Sequence, residues 1–559
     1  MNALDHSHHV SDFARRYAVS PLKGLQKYYG RDLISFAGGL PSPEYFPFTS
    51  ISADILPADA FPLNAPRASS SSSSSFPLSW LWRLFGSGKD STTHVGVPRS
   101  PRQGDGGLNL ATALQYGPAT GLARIQAFTR EFTERIYAPV YNDWTTLVHT
   151  GNTDGWSRIA RLLLNPGDTL LVEEWAYPSA ISNTRPLEVR MKSIPMDGQG
   201  IRTDVLRAIL SGWNAEKDGP RPRVLYTVPV GQNPVGVTMG LERKKAIYAI
   251  CVEYDIIIAE DDPYFFLQVG EFVPKSQRKL ESAGGDNDND VAHFISSLVP
   301  SFLKVDTEGR VIRIDTFSKT IAPGVRLGWF TCSPLFAERL ERIGETSTQS
   351  PCGLGQALVM ALLEQWTFDG YIRWLRGLRT QYKLRRDYFV DCLADEFDLI
   401  PSPTTGDHDD KRAVLYAYAR GTISSGSISR ARALVGEKSQ GRDGGRSGGS
   451  GRPLLSFIPP TSGMFVWVTV YFGDIPDKTD EEDGTVLTPE RQFWARLADS
   501  GLLTAPGWFF SPEELLATSS SSSDRRIGHL RLSYTPSDME TIRRGVKIFA
   551  QTLEEFSRV

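Results

Sequence analysis

The sequence predicts an α/β protein of two domains, the larger one built on a mostly parallel sheet flanked by helices. Three observations carry this expectation. The chain has 559 residues of 40% hydrophobic composition, too long for one ordinary domain and apolar enough to bury substantial cores. Between about residues 116 and 375, apolar runs of strand length alternate with amphipathic helical stretches. One helical face, Ile247, Ile250, Cys251 and Tyr254, lies between the runs Arg223–Val228 and Ile256–Ala259. Helical periodicity between two buried-strand candidates implies parallel pairing through right-handed crossovers.

In such sheets ligand groups gather beyond the carboxyl ends of the strands, so the residues after each run matter most. Thr145–His149 is followed by Thr150-Gly-Asn-Thr-Asp-Gly155 and then a helical face of Trp156, Ile159, Ala160 and Leu163. A Gly-containing loop that opens a helix offers free N–H groups to a phosphate, although a plain N-cap has the same look. Thr169–Val172 leads to Glu173-Glu-Trp-Ala-Tyr-Pro178, where Tyr177 is either a stacking platform or an ordinary loop aromatic. Arg223–Val228 leads to Pro229-Val-Gly-Gln-Asn-Pro-Val-Gly236. Asn233, held extended by the following proline, either aims its amide outward or serves a turn. Ile256–Ala259 leads to Glu260-Asp-Asp-Pro-Tyr264; carboxylates at a buried strand end are costly unless paired, so one of them is expected to meet a cation or to cap a helix. Val311–Ile314 leads to Asp315-Thr-Phe-Ser-Lys-Thr-Ile-Ala-Pro-Gly-Val-Arg326, with Lys319 among hydroxyls and Arg326 beyond a turn. Together these five strand ends supply a phosphate-type loop, a flat aromatic, an amide, a carboxylate and a lysine. Pyridoxal phosphate needs that set: a Schiff-base lysine, an acid on the pyridine nitrogen, and anchors for ring and phosphate.

Other features narrow the class. The formal net charge of -3 lacks the basic excess of a nucleic-acid binder. The four cysteines, Cys251, Cys332, Cys352 and Cys392, form no C-x-x-C pair, so neither a disulfide framework nor a metal site is expected, and a reducing compartment fits. The terminus MNALDHSHHV has no apolar core, and no apolar stretch approaches the ~20 residues of a membrane span; a cytoplasmic location is expected. Gly86-Ser-Gly-Lys-Asp90 lacks the pattern of a P-loop.

Insertions interrupt the pattern. The expected division is an N-terminal arm and small-domain segment over 1–49, a low-complexity insertion over 50–108, a large domain over 109–385, and a C-terminal small domain over 386–559 containing a second insertion at 403–453. The first insertion, rich in serine, proline and glycine, is expected to be unable to offset its ordering entropy. Within it Phe76–Phe85, with Trp80 and Trp82, is an apolar segment that either packs on the protein's own surface or docks a partner. The second insertion ends in Gly441–Arg452, of linker composition, and Thr518–Ser523 is a third, shorter polar run.

The motifs "FAGGLPSPEYFPF", "LQYGPATG", "NPGDTLLVEEWAYP", "YTVPVGQNPVG", "IAEDDPYFFLQ", "DTFSKTIAPGVRLGW", "SGMFVWV" and "LRLSYT" resemble, in order and spacing, fold-type I pyridoxal-phosphate aminotransferases of class I/II. The likeness is to fungal aromatic aminotransferases and kynurenine/2-aminoadipate aminotransferases, and both insertions fall between motifs. The resemblance implies the large domain with a smaller α+β domain formed by the N- and C-terminal segments. It implies Lys319 as the cofactor lysine, Asp261 as partner of the pyridine nitrogen and Tyr177 as the stacking ring. Asn233 and Tyr264 would bond the ring's phenolic oxygen, and Asn152, Thr153, Thr316, Ser318 and Arg326 would surround the phosphate. Tyr116 would reach the partner subunit's phosphate, which implies a homodimer with shared active sites. Arg531 would bind the substrate α-carboxylate and Gly39 would shape the pocket. Asp154 is an unexpected acid beside a phosphate, and Lys23 stands where some relatives place a substrate-contacting arginine.

The implied reaction moves an amino group from an aromatic, kynurenine-like or 2-aminoadipate-like amino acid to a 2-oxo acid, with 2-oxoglutarate the expected acceptor. The same cofactor site also supports a lyase reaction, β-elimination or cyclopropane formation. A regulator fused behind a DNA-binding domain is not expected, because the family-like segment already begins at Ile34 and no basic patch is seen. A pseudoenzyme is disfavoured by the complete set of Lys319, Asp261, Asn233, Tyr264 and Arg326.

Overall fold

The computed structural model describes residues 1–18, 39–63, 92–100, 108–278, 291–403, 413–421, 452–479, 486–512, 526–535 and 538–558. Two strands near the N-terminus, β1 (Ser50–Ile55) and β2 (Thr93–Pro98), pair as an antiparallel ribbon with Ser50 opposite Pro98. The strands β3 (Thr145–His149), β4 (Thr169–Glu173), β5 (Arg190–Ile194), β6 (Val224–Thr227), β7 (Ile257–Asp261), β8 (Val311–Thr316) and β9 (Gly328–Cys332) form one seven-stranded sheet. Its order is β3-β9-β8-β7-β6-β4-β5. Only β9 runs against its neighbours; the other pairings are parallel. Residues of β4, β6, β7, β8 and β9 are all buried, which explains why the sequence shows them as near-continuous apolar runs rather than alternating ones.

Strand parity divides the core. Leu225, Ile258 and Val311 face one layer with Phe132, Trp329 and Tyr371. Tyr226, Ala259, Ile312 and Ile314 face the other with Trp156, Ile159 and Leu163, as the period-2 alternation of side chains requires. Helix α1 (Asn152–Leu163) covers the second layer, and α2 (Leu241–Glu253) lays Ile247, Ile250 and Cys251 on the first. The long helix α3 (Gly353–Glu396), interrupted at Thr367 (φ 63°), runs from the large sheet to a second, antiparallel one.

That second sheet comprises β10 (Phe397–Pro403), β11 (Ala413–Ala419), β12 (Leu455–Phe457), β13 (Phe465–Tyr471), β14 (Ala505–Pro506) and β15 (Ile527–Ser533), ordered β10-β11-β12-β13-β15-β14. Phe389, Val390 and Leu393 of α3 and Val546, Phe549 and Leu553 of α4 (Met539–Ser557) close its core with Val466, Val468 and Leu530.

Both insertions contain more structure than their composition suggests. In β2, Val95 and Val97 are buried against the core that includes Trp366 of α3, and Trp366 Nε1 donates to the Leu56 carbonyl at 3.0 Å. The alternation Thr-His-Val-Gly-Val-Pro gives this short strand one apolar face, enough to order the ends of a stretch whose average composition is polar. In the second insertion, Ala413–Ala419 is a strand paired on both sides, with Phe397–Pro403 and Leu455–Phe457; its apolar, aromatic-rich run was masked by the linker around it. Phe76–Phe85, Gly86–Asp90, Gly441–Gly451 and Thr518–Ser523 lie outside the described residues.

The N-terminal arm packs on the large sheet's helical layer. Val10 and Ala14 join its core, and Ser11 N–H bonds the Leu162 carbonyl at 2.7 Å. His8 (2.7 Å), His9 (3.1 Å) and Arg310 (2.7 Å) all converge on the Asp255 carboxylate just past α2. The four cysteines are unbonded, and only Cys352 is exposed. Among the described residues no helix is long and apolar enough to cross a membrane.

Candidate active site

The carboxyl ends of β3, β6, β7 and β8 bring the candidate residues together. Past β8, Thr316 caps a single 3-10 turn, Phe317–Lys319. The Thr316 and Ser318 hydroxyls lie 2.9 Å apart. Arg326 follows a second turn, in the left-handed conformation (φ 48°). Its guanidinium donates to Ser318 Oγ at 3.2 Å, to the Pro323 carbonyl at 2.9 Å and to the Thr150 carbonyl at 3.2 Å. Gly151 has φ 94°, and a Cβ there would fall 2.1 Å from Arg326 Nη2. The loop, the amino end of the 12-residue helix α1, Ser318 and Arg326 thus form one cup with a cation and free N–H groups, the arrangement a phosphate requires.

Asp154 does not spoil this cup. Its carboxylate turns back to accept from Thr150 N–H at 3.2 Å and pairs with the buried Arg158 at 2.8 Å. Thr153 is exposed in the first turn of α1. Below the loop, buried His149 accepts from Gly151 N–H at 3.1 Å. Burial pushes its imidazole down to about 3, so it stays neutral and keeps a lone pair for that bond.

Asp261 ends β7 and is 5% exposed. Tyr226 Oη donates to its Oδ2 at 2.7 Å, and Asn152 Nδ2 donates to its Oδ1 at 2.6 Å. Burial raises Asp261 to about 6, and the two hydrogen bonds hold it from rising further. Asn152 therefore departs from the expectation that its side chain surrounds a phosphate: the amide faces Asp261 and the Ile314 carbonyl (3.2 Å). The neighbouring acids point elsewhere, because adjacent strand residues face opposite sides. Glu260 (3.2 Å) and Asp262 (3.0 Å) both meet the fully buried Arg313, which also holds Asp315 at 2.8 Å.

Asn233 accepts from Arg531 Nη1 at 2.8 Å. Its loop is tied down by Gln232, whose amide donates to Glu173 Oε2 at 2.9 Å and to the Trp175 carbonyl at 2.5 Å. Glu173 is wholly buried, which raises it to about 7 against bonds from Thr227, Gln232 and Val228. Arg531, on β15, lies with its guanidinium carbon 4.1 Å from the Phe465 ring centre and 4.9 Å from that of Phe510. Its Nε is buried, with no hydrogen-bond partner among the described residues. Tyr264 is buried, its ring edge-on to Phe465 at 5.9 Å. Tyr177 is half-buried at the start of a short helix, Pro178–Thr184.

Lys319 is half-buried and makes no hydrogen bond or ion pair among the described residues. Burial lowers its amine below the ordinary lysine range, and the charges of Arg326 and Arg531 lower it further. Two expected residues are not drawn in. Tyr116 is 62% exposed, and Gly39 is exposed with nothing near an added Cβ. Lys23 lies outside the described residues. Conversely, the sequence reading missed Tyr226, Glu173 and His149. Tyr226 and His149 sit in strands read only as apolar runs, and Glu173, read as the first loop residue, is the last residue of its strand; the available signal was a polar group at the inward end of each run.

Comparison with known proteins agrees with this geometry. The family model for aminotransferases of class I and II matches residues 99–406. An aromatic amino acid aminotransferase of Schizosaccharomyces pombe is 41% identical over 393 residues, covering 70% of this chain and 77% of the relative. An L-tyrosine:2-oxoglutarate aminotransferase of Tapinella panuoides is 31% identical over 589 residues, covering 99% and 96%. The crystal structure of the aminotransferase Aro8 from Candida albicans matches with a TM-score of 0.76 at 30% identity, covering 100% of both chains. The family implies pyridoxal 5'-phosphate, and the residues fit it: a cup whose Arg326 guanidinium packs so close on Gly151 that a Cβ there would displace it, a buried carboxylate for a ring nitrogen, and a lysine with no hydrogen bond or ion pair among the described residues. The chain belongs to the class I and II aminotransferases.

Proposed function

We propose that this protein transfers the amino group of an aromatic amino acid to 2-oxoglutarate, with kynurenine and 2-aminoadipate as related donors. The observation that carries the reading is the amine of Lys319, without a hydrogen bond or ion pair among the described residues and under the charges of both Arg326 at the Gly151 cup and Arg531. The names of the similar proteins support the choice of donor and acceptor.

Bound pyridoxal phosphate supplies an aldehyde carbon that captures the amino group and a ring that withdraws electrons from the substrate Cα. Lys319 would hold that carbon, Asp261 would keep the ring nitrogen protonated by opposite charge, and Tyr177 would cover the ring face. Tyr264 and Asn233 would hold the phenolic oxygen, and Thr316, Ser318, Arg326, Thr153 and the first N–H groups of α1 would hold the phosphate. Arg531 would take the α-carboxylate through its guanidinium, as a charge-assisted contact. Lys319 Nζ then removes the Cα proton of the donor and, in the reverse half-reaction, returns one to the Cα of the acceptor. We further infer a homodimer in which Tyr116 serves the neighbouring site; its exposure is what supports this.

Purified protein assayed on tyrosine, phenylalanine, tryptophan, kynurenine and 2-aminoadipate should form glutamate from 2-oxoglutarate, fastest with an aromatic donor. Turnover without any oxo acid would instead favour elimination. Lys319→Ala should abolish the visible cofactor band and lower turnover by at least about 10²–10⁴-fold; a variant that keeps both would refute the role of Lys319.

A further inference from the structure

We propose that Tyr226 is a positioning residue for the reaction: with Asn152 it clamps the two oxygens of Asp261, so that the carboxylate stays ionised and aimed at the ring nitrogen. The inference rests on the reading of Asp261 as partner of that nitrogen. The clamp comes from two elements. Tyr226 lies on β6 opposite Ala259 of β7, two residues before Asp261 on the same face, which puts its hydroxyl diagonally across from the carboxylate. Asn152 opens α1 and reaches the other oxygen.

Neither donor has an alternative arrangement. Tyr226 is 1% exposed, with its ring against Trp156 at 4.5 Å between centres. Among the described residues Asp261 is its hydroxyl's only hydrogen-bond partner, and a buried tyrosine hydroxyl needs one. Burial and the adjacent anion raise its own ionisation well above the ordinary tyrosine range, so it donates at every working pH. For Asn152, only the NH₂ group suits the site, because both neighbours, Asp261 Oδ1 and the Ile314 carbonyl, accept. Its Oδ1 is left buried, without a hydrogen-bond partner among the described residues, a cost tolerated to keep the amide pointed inward.

Removing one donor shifts the balance at Asp261. No water replaces the Tyr226 hydroxyl in so closed a place, and the carboxylate, already raised by burial, takes up a proton more readily. A protonated Asp261 no longer supports a charged ring nitrogen. Tyr226→Phe keeps the ring volume and loses only the hydroxyl, so the fold is expected to persist.

The experiment compares wild type, Tyr226→Phe, Asn152→Ala and Asp261→Asn as reconstituted enzymes. Three readouts are followed: apo-protein affinity for pyridoxal phosphate, the pH midpoint of the visible cofactor band, and kcat against KM. In Tyr226→Phe the affinity should fall about tenfold, the size expected for one hydrogen bond to a charged group. The band midpoint should move upward, as in Asp261→Asn but less, because a less positive ring leaves the cofactor–lysine nitrogen more basic. kcat should fall with KM little changed. Asn152→Ala should move the same midpoint in the same direction, and it tests the clamp should Tyr226→Phe not fold. If Asp261→Asn moves the midpoint and affinity while Tyr226→Phe and Asn152→Ala leave both unchanged, the clamp is overturned and the role of Asp261 stands. If none of the three variants moves them, the role of Asp261 fails and the clamp fails with it.

Discussion

A half-buried guanidinium with no acid beside it is unfavourable unless something else compensates, and among the described residues Arg531 is held in that state by its neighbours. Phe465 and Phe510 flank its face, Asn233 takes one Nη, and its Nε stays buried with no hydrogen-bond partner among the described residues. The side chain is therefore oriented before any substrate arrives, and on the proposed reading the partner it awaits is the substrate α-carboxylate. Lysine preserves the charge but not the planar guanidinium. Arg531→Lys should raise KM for the amino donor by about 10–100-fold, the worth of a charge-assisted hydrogen bond. The visible cofactor band should stay unchanged. Steady-state kinetics with tyrosine, alongside the spectrum, checks both halves. A variant with unaltered KM would leave the α-carboxylate to another residue.

Among elements, the β3–α1 turn has the least tolerance. Gly151 combines φ 94° with a space already filled by Arg326, so any side chain there strains the backbone and competes with the guanidinium for one position. Gly151→Ala should weaken pyridoxal phosphate binding about tenfold or more through the displaced arginine. The melting temperature of the apo protein should fall only modestly, and the comparison of the two, by cofactor titration and thermal denaturation, separates lost anion binding from general damage. This turn was legible in the sequence as a Gly-containing polar loop after an apolar run, as were Lys319 and the strands themselves, because buried parallel strands are written as unbroken Val, Ile and Leu. What was not legible was parity and pairing. Without the family resemblance, Glu260, Asp261 and Asp262 read as three equivalent acids; the strand's alternation sends two to Arg313 and leaves Asp261, the one the resemblance singles out, facing Tyr226 and Asn152. Tyr226 itself was hidden inside Val224–Thr227 as one more apolar residue. Ala413–Ala419 was hidden by the linker composition around it, since a seven-residue strand hardly moves the average of a fifty-residue window.

At the scale of the whole molecule, the candidate site spans both sheets. Asn233 and Arg531 are 298 residues apart in the chain and 2.8 Å apart in space, and α3 ties the two sheets together. Within one chain, however, the set lacks Tyr116, which stands at the surface beside the segment Pro41–Phe46. Gln115 and Arg99 bind that segment's carbonyls. In the proposed homodimer a residue so exposed would serve the neighbour's site. Closed twofold symmetry would then exchange the two tyrosines between the two sites. Mixed dimers test this directly. In a dimer of one Lys319→Ala chain and one Tyr116→Ala chain, exchange places both lesions in one site and leaves the other site intact. If each tyrosine served its own chain, both sites would be damaged. Random reassociation of equal amounts makes half the dimers mixed, so exchange restores about a quarter of wild-type activity from two nearly inactive parents. Recovery near that level, measured after subunit exchange and absent before it, would assign Tyr116 to the partner's site. No recovery despite demonstrated exchange would return it to the surface of its own chain.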